Sequence, residues 1–525
     1  MLRSREGAIF VVMRPGSIAL ALSVLSAACG SSKTDAPPAP VPGSGAGSAS
    51  SGSAAAGSGE VKKPVDTRPL PPLAGDPGGG SGAPLGALGF GGLGIDSARA
   101  IAVTPTGEAY LAGYFDGEID FGATLGKRLA EGVEPTKTAS NGYLVKVGAD
   151  GKLAWAQTFG GKREDTANDV AVRGDMVVVV GNFTDDLQLG EFTKKSAGSD
   201  DAFVAAFDAS GAIQWAWNFG GIDSDGANTV AATPDGGWVI GGSFSATAEF
   251  GPTTFKTRGG TDAMLIKLAA TGDLEWAKRF GGAYPDQITH VAVDGQGNII
   301  VQGQFKDVAD WGGEKKLKAG GGSDNDVVLA KYDLNGDHLW SSTFGNAFND
   351  VAGGVTVDPS GHITMVGSFD KTVSFGEGDD HTAVGESDIF VARFTPMGKL
   401  AWAHTYGGDR EDIGMGVASD AAGNTVATGW FQGGLDFGAG ALMSKGNKDV
   451  FALKLDAKGG LVWSQSFGDK DHDQGRAVAI DDQGTAFLTG IFRFKLTAGA
   501  TTLQSARAEG DRIPKPDTFV LHLDR

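Results

Sequence analysis

The sequence predicts an all-β fold, a seven-bladed β-propeller with four antiparallel strands in each blade. Three observations carry that prediction. A phrase returns seven times at a pitch of about 60 residues, turn residues divide each copy into four short strands, and the two ends of the repeat region each hold part of one copy.

The organising phrase is L-A-W-A-Q-T-F-G-G-K-R-E-D, Leu153 to Asp165. Its aromatic position recurs at Phe90, Phe159, Phe219, Phe280, Phe344, Tyr406 and Phe467, each followed by glycine, with steps of 69, 60, 61, 64, 62 and 61 residues. An aspartate lies six residues beyond each, at Asp96, Asp165, Asp225, Asp286, Asp350, Asp412 and Asp473. A tryptophan lies four residues before six of the seven aromatics: Trp155, Trp215, Trp276, Trp340, Trp402 and Trp463.

Residues 1–28 carry Arg3, Arg5 and Arg14 ahead of a short apolar run, Ile18 to Ala28. That run is shorter than the roughly 20 residues a membrane-spanning helix needs, so the segment is expected to be a signal peptide, starting at Met1 or Met13. Leu25-Ser26-Ala27-Ala28-Cys29 resembles the lipobox of bacterial lipoproteins. The resemblance implies that Cys29, the single cysteine of the chain, is lipidated (palmitate among the chains it carries) and anchors the mature protein in the cell envelope. Gly30 stands where a retention aspartate would hold such a protein at the inner membrane, so the outer membrane is the expected address. Residues 29–82 turn to Gly, Ser, Ala and Pro without period, the composition of a disordered linker. Residues 83–525 are then the propeller.

Within one repeat, Ile288–Val293 alternates towards the turn Asp294-Gly-Gln-Gly297, and Asn298–Phe305 returns from it. The same D-x-x-G turn recurs at Asp358–Gly361, Asp420–Gly423 and Asp481–Gly484. A second hairpin joins Asp326–Asp333 to Asp337–Phe344, and helical spacing is absent throughout. The chain ends on Thr518–Asp524, which matches a third strand without its fourth. Pro84–Phe90 matches a fourth strand, with Gly86 in place of Trp. An N-terminal strand completing the last sheet would close the ring and leave no open edge.

The phrase F-G-G, then Asp, then V-A-V-D-x-x-G-N, G-x-F and D-x-F-V-x-K-x-D-x-x-G-x-x-x-W resembles the bacterial β-propeller repeat called SBBP. That resemblance implies an exported propeller and no particular activity.

Seven copies give an internal control: what every blade needs should recur, and a ligand site should break the symmetry. The tryptophans and the F-G pairs recur and are expected to pack between blades. The seven aspartates, placed just before the first strands, would ring one end of the channel, each fixing its own loop through backbone N–H groups. The third residue beyond each aspartate varies: Arg99, Asn168, Asn228, Thr289, Gly353, Met415 and Arg476. A binding site at the channel mouth would use these residues. Loops Gly122–Ser140, Lys306–Ser323 and Arg493–Pro516 also vary, where recognition usually resides. Asp469, Asp471 and Asp473 alternate in one loop and form the best local calcium candidate; otherwise no metal or cofactor is expected.

The seven histidines are scattered, and neither G-x-S-x-G nor H-E-x-x-H occurs, so no catalytic residues are assigned and the chain is not expected to be an enzyme. A net charge of −19 disfavours nucleic acid. The first reading is a monomeric envelope lipoprotein whose propeller binds protein or polysaccharide. The alternatives are a factor in outer-membrane protein assembly, and a propeller enzyme such as a glycan hydrolase, a lyase or a quinoprotein.

Overall fold

The computed structural model describes residues 80–130, 139–321, 324–346, 348–376, 378–509 and 511–525. All of them belong to the second of two compact units, Asp66–Arg525. The segment expected to be a signal peptide, Cys29 and nearly all of the expected linker lie outside the described residues, as does part of the loop at Gly122–Ser140.

The chain folds as an all-β propeller. Each repeat lays down four antiparallel strands in sequence, such as Asp96–Val103, Ala109–Asp116, Ser140–Val147 and Leu153–Phe159. Five four-stranded sheets stand separately. The expectation of separate sheets throughout fails at a ten-stranded sheet, which joins the unit Asp165–Arg173 to Ile213–Gly221 with the unit Gly226–Ala232 to Leu274–Gly282. The fourth strands there run on through their F-G-G and pair with the extended hairpin of the next unit, Gly220 with Glu249 and Gly221 with Ala248. Elsewhere the same contact is a single bridge, Gly91 with Asp120 and Gly160 with Gln188, so one further residue pair decides between a bridge and a ladder. A four-residue helix, Gly122–Leu125, also interrupts the expected absence of helix.

The inner strands pack in a cycle. Asp96–Val103 lies against Asp165–Arg173, which lies against Gly226–Ala232, and so on to Gln474–Ile480, which returns to Asp96–Val103. Pro84–Phe90 pairs antiparallel with Asp517–Leu523 and completes the last sheet.

Each sheet buries both faces against its neighbours, and the recurring tryptophans seal the junctions. Every one donates its indole N–H to a backbone carbonyl in the following unit: Trp155 to Ala209 at 3.0 Å, Trp215 to Ala270 at 3.3 Å, and Trp276 to Leu334, Trp340 to Pro396 and Trp402 to Ala457 at 3.2 Å. Trp463 donates to Arg525 at 3.0 Å. The ring also lies over a turn glycine. A Cβ on Gly272, which sits at φ 86°, would come within 2.7 Å of Trp215 Cδ2, so a bulkier residue would lift the ring off the turn. The D-x-x-G aspartates likewise serve twice. Asp294 accepts the N–H groups of Gln296 and Asn298, and it receives the buried Lys331 ammonium at 2.9 Å.

Candidate functional site

The varied position of every repeat has one local geometry. Register slips between Ala98 and Ala100, Ala167 and Asp169, Ala227 and Thr229, Ile288 and His290, Ala352 and Gly354, Gly414 and Gly416, and Gly475 and Ala477. Each slip omits one residue, and the omitted residues are Arg99, Asn168, Asn228, Thr289, Gly353, Met415 and Arg476. They are therefore the extra residues of β-bulges, the device that turns a side chain out of the alternating pattern of a strand.

The bulges bring these residues together. All seven line one cavity of about 310 Å³ between the inner strands, with Gln287 and His290. A second cavity of about 220 Å³ is walled by Val230, Val291, Val355, Val417 and Val478 and also touches Asp169. Arg99 donates from Nη1 to Asn168 Oδ1 at 2.9 Å, and Asn168 Nδ2 donates to Asn182 Oδ1 and to the Ala227 carbonyl, both at 2.9 Å. Asn228 donates to the Ile288 carbonyl at 2.9 Å and Thr289 to the Gln302 carbonyl at 3.2 Å. The bonds from Arg99 to Asn168, from Asn168 to Ala227 and from Asn228 to Ile288 tie neighbouring inner strands together, and the others fix the polar wall within a sheet. Arg476 donates from Nη2 to Gln474 Oε1 at 3.3 Å, while its buried Nε has no partner. Burial first, and then the like charge of Arg99, hold the Arg476 guanidinium below its usual value. Burial also pushes His290 down to about 4, which leaves the imidazole neutral at physiological pH.

The seven aspartates stand at or just before the start of the inner strands and spend their carboxyls on their own loops. They are buried and point back into their own loops, where each accepts the N–H of the residue four before it. Gly161 donates to Asp165 at 2.6 Å and Gly408 to Asp412 at 2.7 Å. The loop bonds are those expected of a residue that every repeat needs. The carboxyl serves a loop folded back against the sheet, and the bulge three residues later is what reaches the axis.

A second aspartate, overlooked as a chemical group in the sequence although it opens the D-x-F-V-x-K phrase, stands opposite. It is Asp201, Asp262, Asp326, Asp388, Asp449 and Asp517, with Asn141 at the corresponding place in one unit. At Gly160, Gly220, Gly281 and Gly345 the glycine after the aromatic is wedged between the two side chains. A Cβ on Gly345 would lie 2.4 Å from Asp350 Oδ2 and 2.7 Å from Asp326 Cγ, so only glycine leaves room for the pair. Desolvation, aided by the neighbouring carboxylate, pushes Asp96 and Asp350 up to about 8. Asp165, Asp225, Asp286 and Asp473 rise to about 7 and Asp412 to about 6, with burial again the leading cause.

Asp469, Asp471 and Asp473 are not assembled as a calcium site. Asp473 spends its two oxygens on the N–H groups of Asp469 and Arg493, and Asp471 faces the Arg493 guanidinium at 3.6 Å. Among the described residues, no three acidic, His or Cys side chains group as metal ligands.

No family model matches the chain. Regulatory protein FlaEY of Caulobacter vibrioides is 26% identical over 380 residues, 68% of this chain and 39% of that protein. An uncharacterized WD repeat-containing protein, L264, of Acanthamoeba polyphaga mimivirus is 29% identical over 199 residues, 32% of this chain and 14% of that one. The chain therefore spans less than half the length of these curated relatives. Among solved structures, Sqt1 from Chaetomium thermophilum is similar with a TM-score of 0.39 at 11% identity, covering 84% of this chain and 98% of that one. The Pan2 WD40 domain of Neurospora crassa is similar with a TM-score of 0.35 at 9% identity, covering 68% and 89%.

Proposed function

We propose that this chain is a lipid-anchored envelope protein whose seven-bladed propeller is a binding or scaffold module for a protein or polysaccharide, with recognition centred on the axial cavity and the loops around it. One observation carries the reading: every repeat builds the same bulge, yet the residue displayed there differs from copy to copy, while the positions that seal the junctions repeat. Sevenfold architecture is supported by dividing the ten-stranded sheet at the F-G-G contact that is only a bridge elsewhere. The SBBP-like phrase and the lipobox-like stretch ending at Cys29 support export and anchoring, with the outer membrane as the address. The module acts as a monomer without a cofactor or catalytic step.

Two measurements test this. Expressed in a bacterium with two membranes, the full chain should incorporate labelled palmitate and fractionate with the outer membrane, and Cys29→Ala should release it as soluble protein. A photo-crosslinking residue at position 415 should trap one envelope protein or glycan. Label-free protein, or crosslinking no greater than from an exposed position such as Leu85, would sink the reading.

A further inference from the structure

We propose that the axial cavity binds a small free oxyanion of the phosphate or carboxylate class, held between the guanidinium groups of Arg99 and Arg476. The inference rests on reading this cavity as the recognition site, and it names what the cavity takes.

Two neighbouring inner strands, Asp96–Val103 and Gln474–Ile480, each spend their bulge on an arginine, so two positive charges share one cavity of about 310 Å³. Among the described residues, neither guanidinium forms an ion pair with a carboxylate, and the groups acting on Arg476 are Arg99 and two tyrosines. Buried cations elsewhere in this fold are treated differently. Lys331 meets Asp294 at 2.9 Å, the buried Lys267 meets Asp235 at 3.1 Å, and Arg393 is paired with Asp358. A protein with a net charge of −19 has carboxylates to spare, and it places none on these two arginines.

The hydrogen-bonding capacity is also unspent. A guanidinium offers five N–H donors in a planar fork that matches an oxyanion. Arg99 commits one group to Asn168 and rests on the Tyr114 ring at 5.1 Å, which orients it without neutralising it. Arg476 commits one to Gln474, and its buried Nε has no partner. An unsatisfied buried donor on a cation is costly, and an anion between the two forks removes that cost and the like-charge repulsion together. Asp169, the nearby carboxylate of the second cavity, does not compete, because its two oxygens accept the N–H groups of Val170 at 2.8 Å and Val230 at 2.8 Å.

The test titrates the purified full chain with sodium phosphate, and separately with succinate, against chloride at matched ionic strength, following the thermal unfolding midpoint and the heat of binding. Phosphate or succinate should give a saturable rise that chloride does not reproduce. Arg99→Gln and Arg476→Gln should each weaken the binding about tenfold or more, the scale of a charge-assisted hydrogen bond. Without anion, Arg476→Gln should be at least as stable as the wild type, since it removes an uncompensated charge. No saturable rise with either anion overturns the proposal, and so does a rise of equal affinity in both variants. If Arg476→Gln does not fold, Arg99→Gln decides, because Arg99 is exposed and its variant reads the binding independently. Crosslinking at position 415 with no oxyanion binding would defeat this inference and leave the broader reading intact.

Discussion

Six copies of the repeat hold a tryptophan at the junction with the next unit and the remaining copy holds Gly86 there, which makes Gly86→Trp a quantitative test of how neighbouring units are sealed. Gly86 pairs with His522, the register position at which Trp215 pairs with Ala206 and Trp276 with Lys267. A Cβ added at Gly86 meets nothing within 4 Å, and a cavity of about 520 Å³ lies beside it, lined by Ala149, Gly151 and His522 among others. The turn beneath has the features that receive a tryptophan elsewhere: Gly151 at φ 75°, and the Ala149 carbonyl in the place of the Ala209 carbonyl that accepts from Trp155. A buried indole removes roughly 150–250 Å² from water. At about 25 cal/mol per Å², with half of that area gained, the transfer contributes about 2–3 kcal/mol. Ordering the side chain costs about 1 kcal/mol, and the new hydrogen bond returns a similar amount. The expected gain is about 2 kcal/mol, read as a higher urea midpoint at an unchanged slope. The His522 ring lies 3.6 Å from the place a Gly151 Cβ would occupy, where the indole must go, so Gly86→Trp with His522→Ala should show the full gain. An unchanged or lower midpoint in the double variant would refute the account of the tryptophans as junction seals.

The buried carboxyl pairs make stability depend on pH in a direction opposite to that of salt-bridged aspartates. Their folded values of about 6 to 8 lie above the ordinary 3.8, so the folded state holds more protons; the stability they confer is complete below about pH 4 and is lost as pH rises through 6 to 8. At 1.36 kcal/mol per unit, Asp350 alone sets a ceiling of about 6 kcal/mol; the unfolding midpoint should fall between pH 5 and pH 9, less steeply in Asp350→Asn, and a flat profile would contradict the pairing. Gly345→Ala forces a Cβ against Asp350 and Asp326 at a backbone φ of 137°, and should cost at least about 1–3 kcal/mol in denaturant unfolding. Calcium or a chelator should leave the unfolding midpoint unchanged, because Asp471 and Asp473 are already engaged; a rise with calcium that Asp471→Asn abolishes would reinstate that loop as a metal site.

The repeat makes much of this molecule legible in its sequence. Aromatic-glycine spacing located the strands, and the partial repeats at Pro84–Phe90 and Thr518–Asp524 announced the closing pair. The varied third residue after each aspartate pointed to the cavity wall. Other features depend on relations between strands that a single repeat does not encode. A bulge is a difference in register between two strands, and nothing in D-S-A-R-A-I marks Arg99 as the residue left out. The two aspartates of a pair stand on either side of an aromatic-glycine step, so their proximity emerges only when the fourth strand of one unit reaches the loop of the next. The ten-stranded sheet turns on whether F-G-G makes one bridge or two, a distinction smaller than any compositional signal.

The closing strand also sets the order in which this protein can come into being. Ser81 and Asp524, 443 residues apart, share a hydrogen bond at the seam, and the Arg525 carbonyl receives the indole of Trp463. A chain emerging from its N-terminus presents Pro84–Phe90 first and must carry it as an unpaired edge until Asp517–Leu523 arrives. Every blade can form locally in the meantime, but the circle becomes complete only at the final strand. Loss of a few C-terminal residues should therefore cost far more than their number suggests, since it reopens both ends of the ring at once.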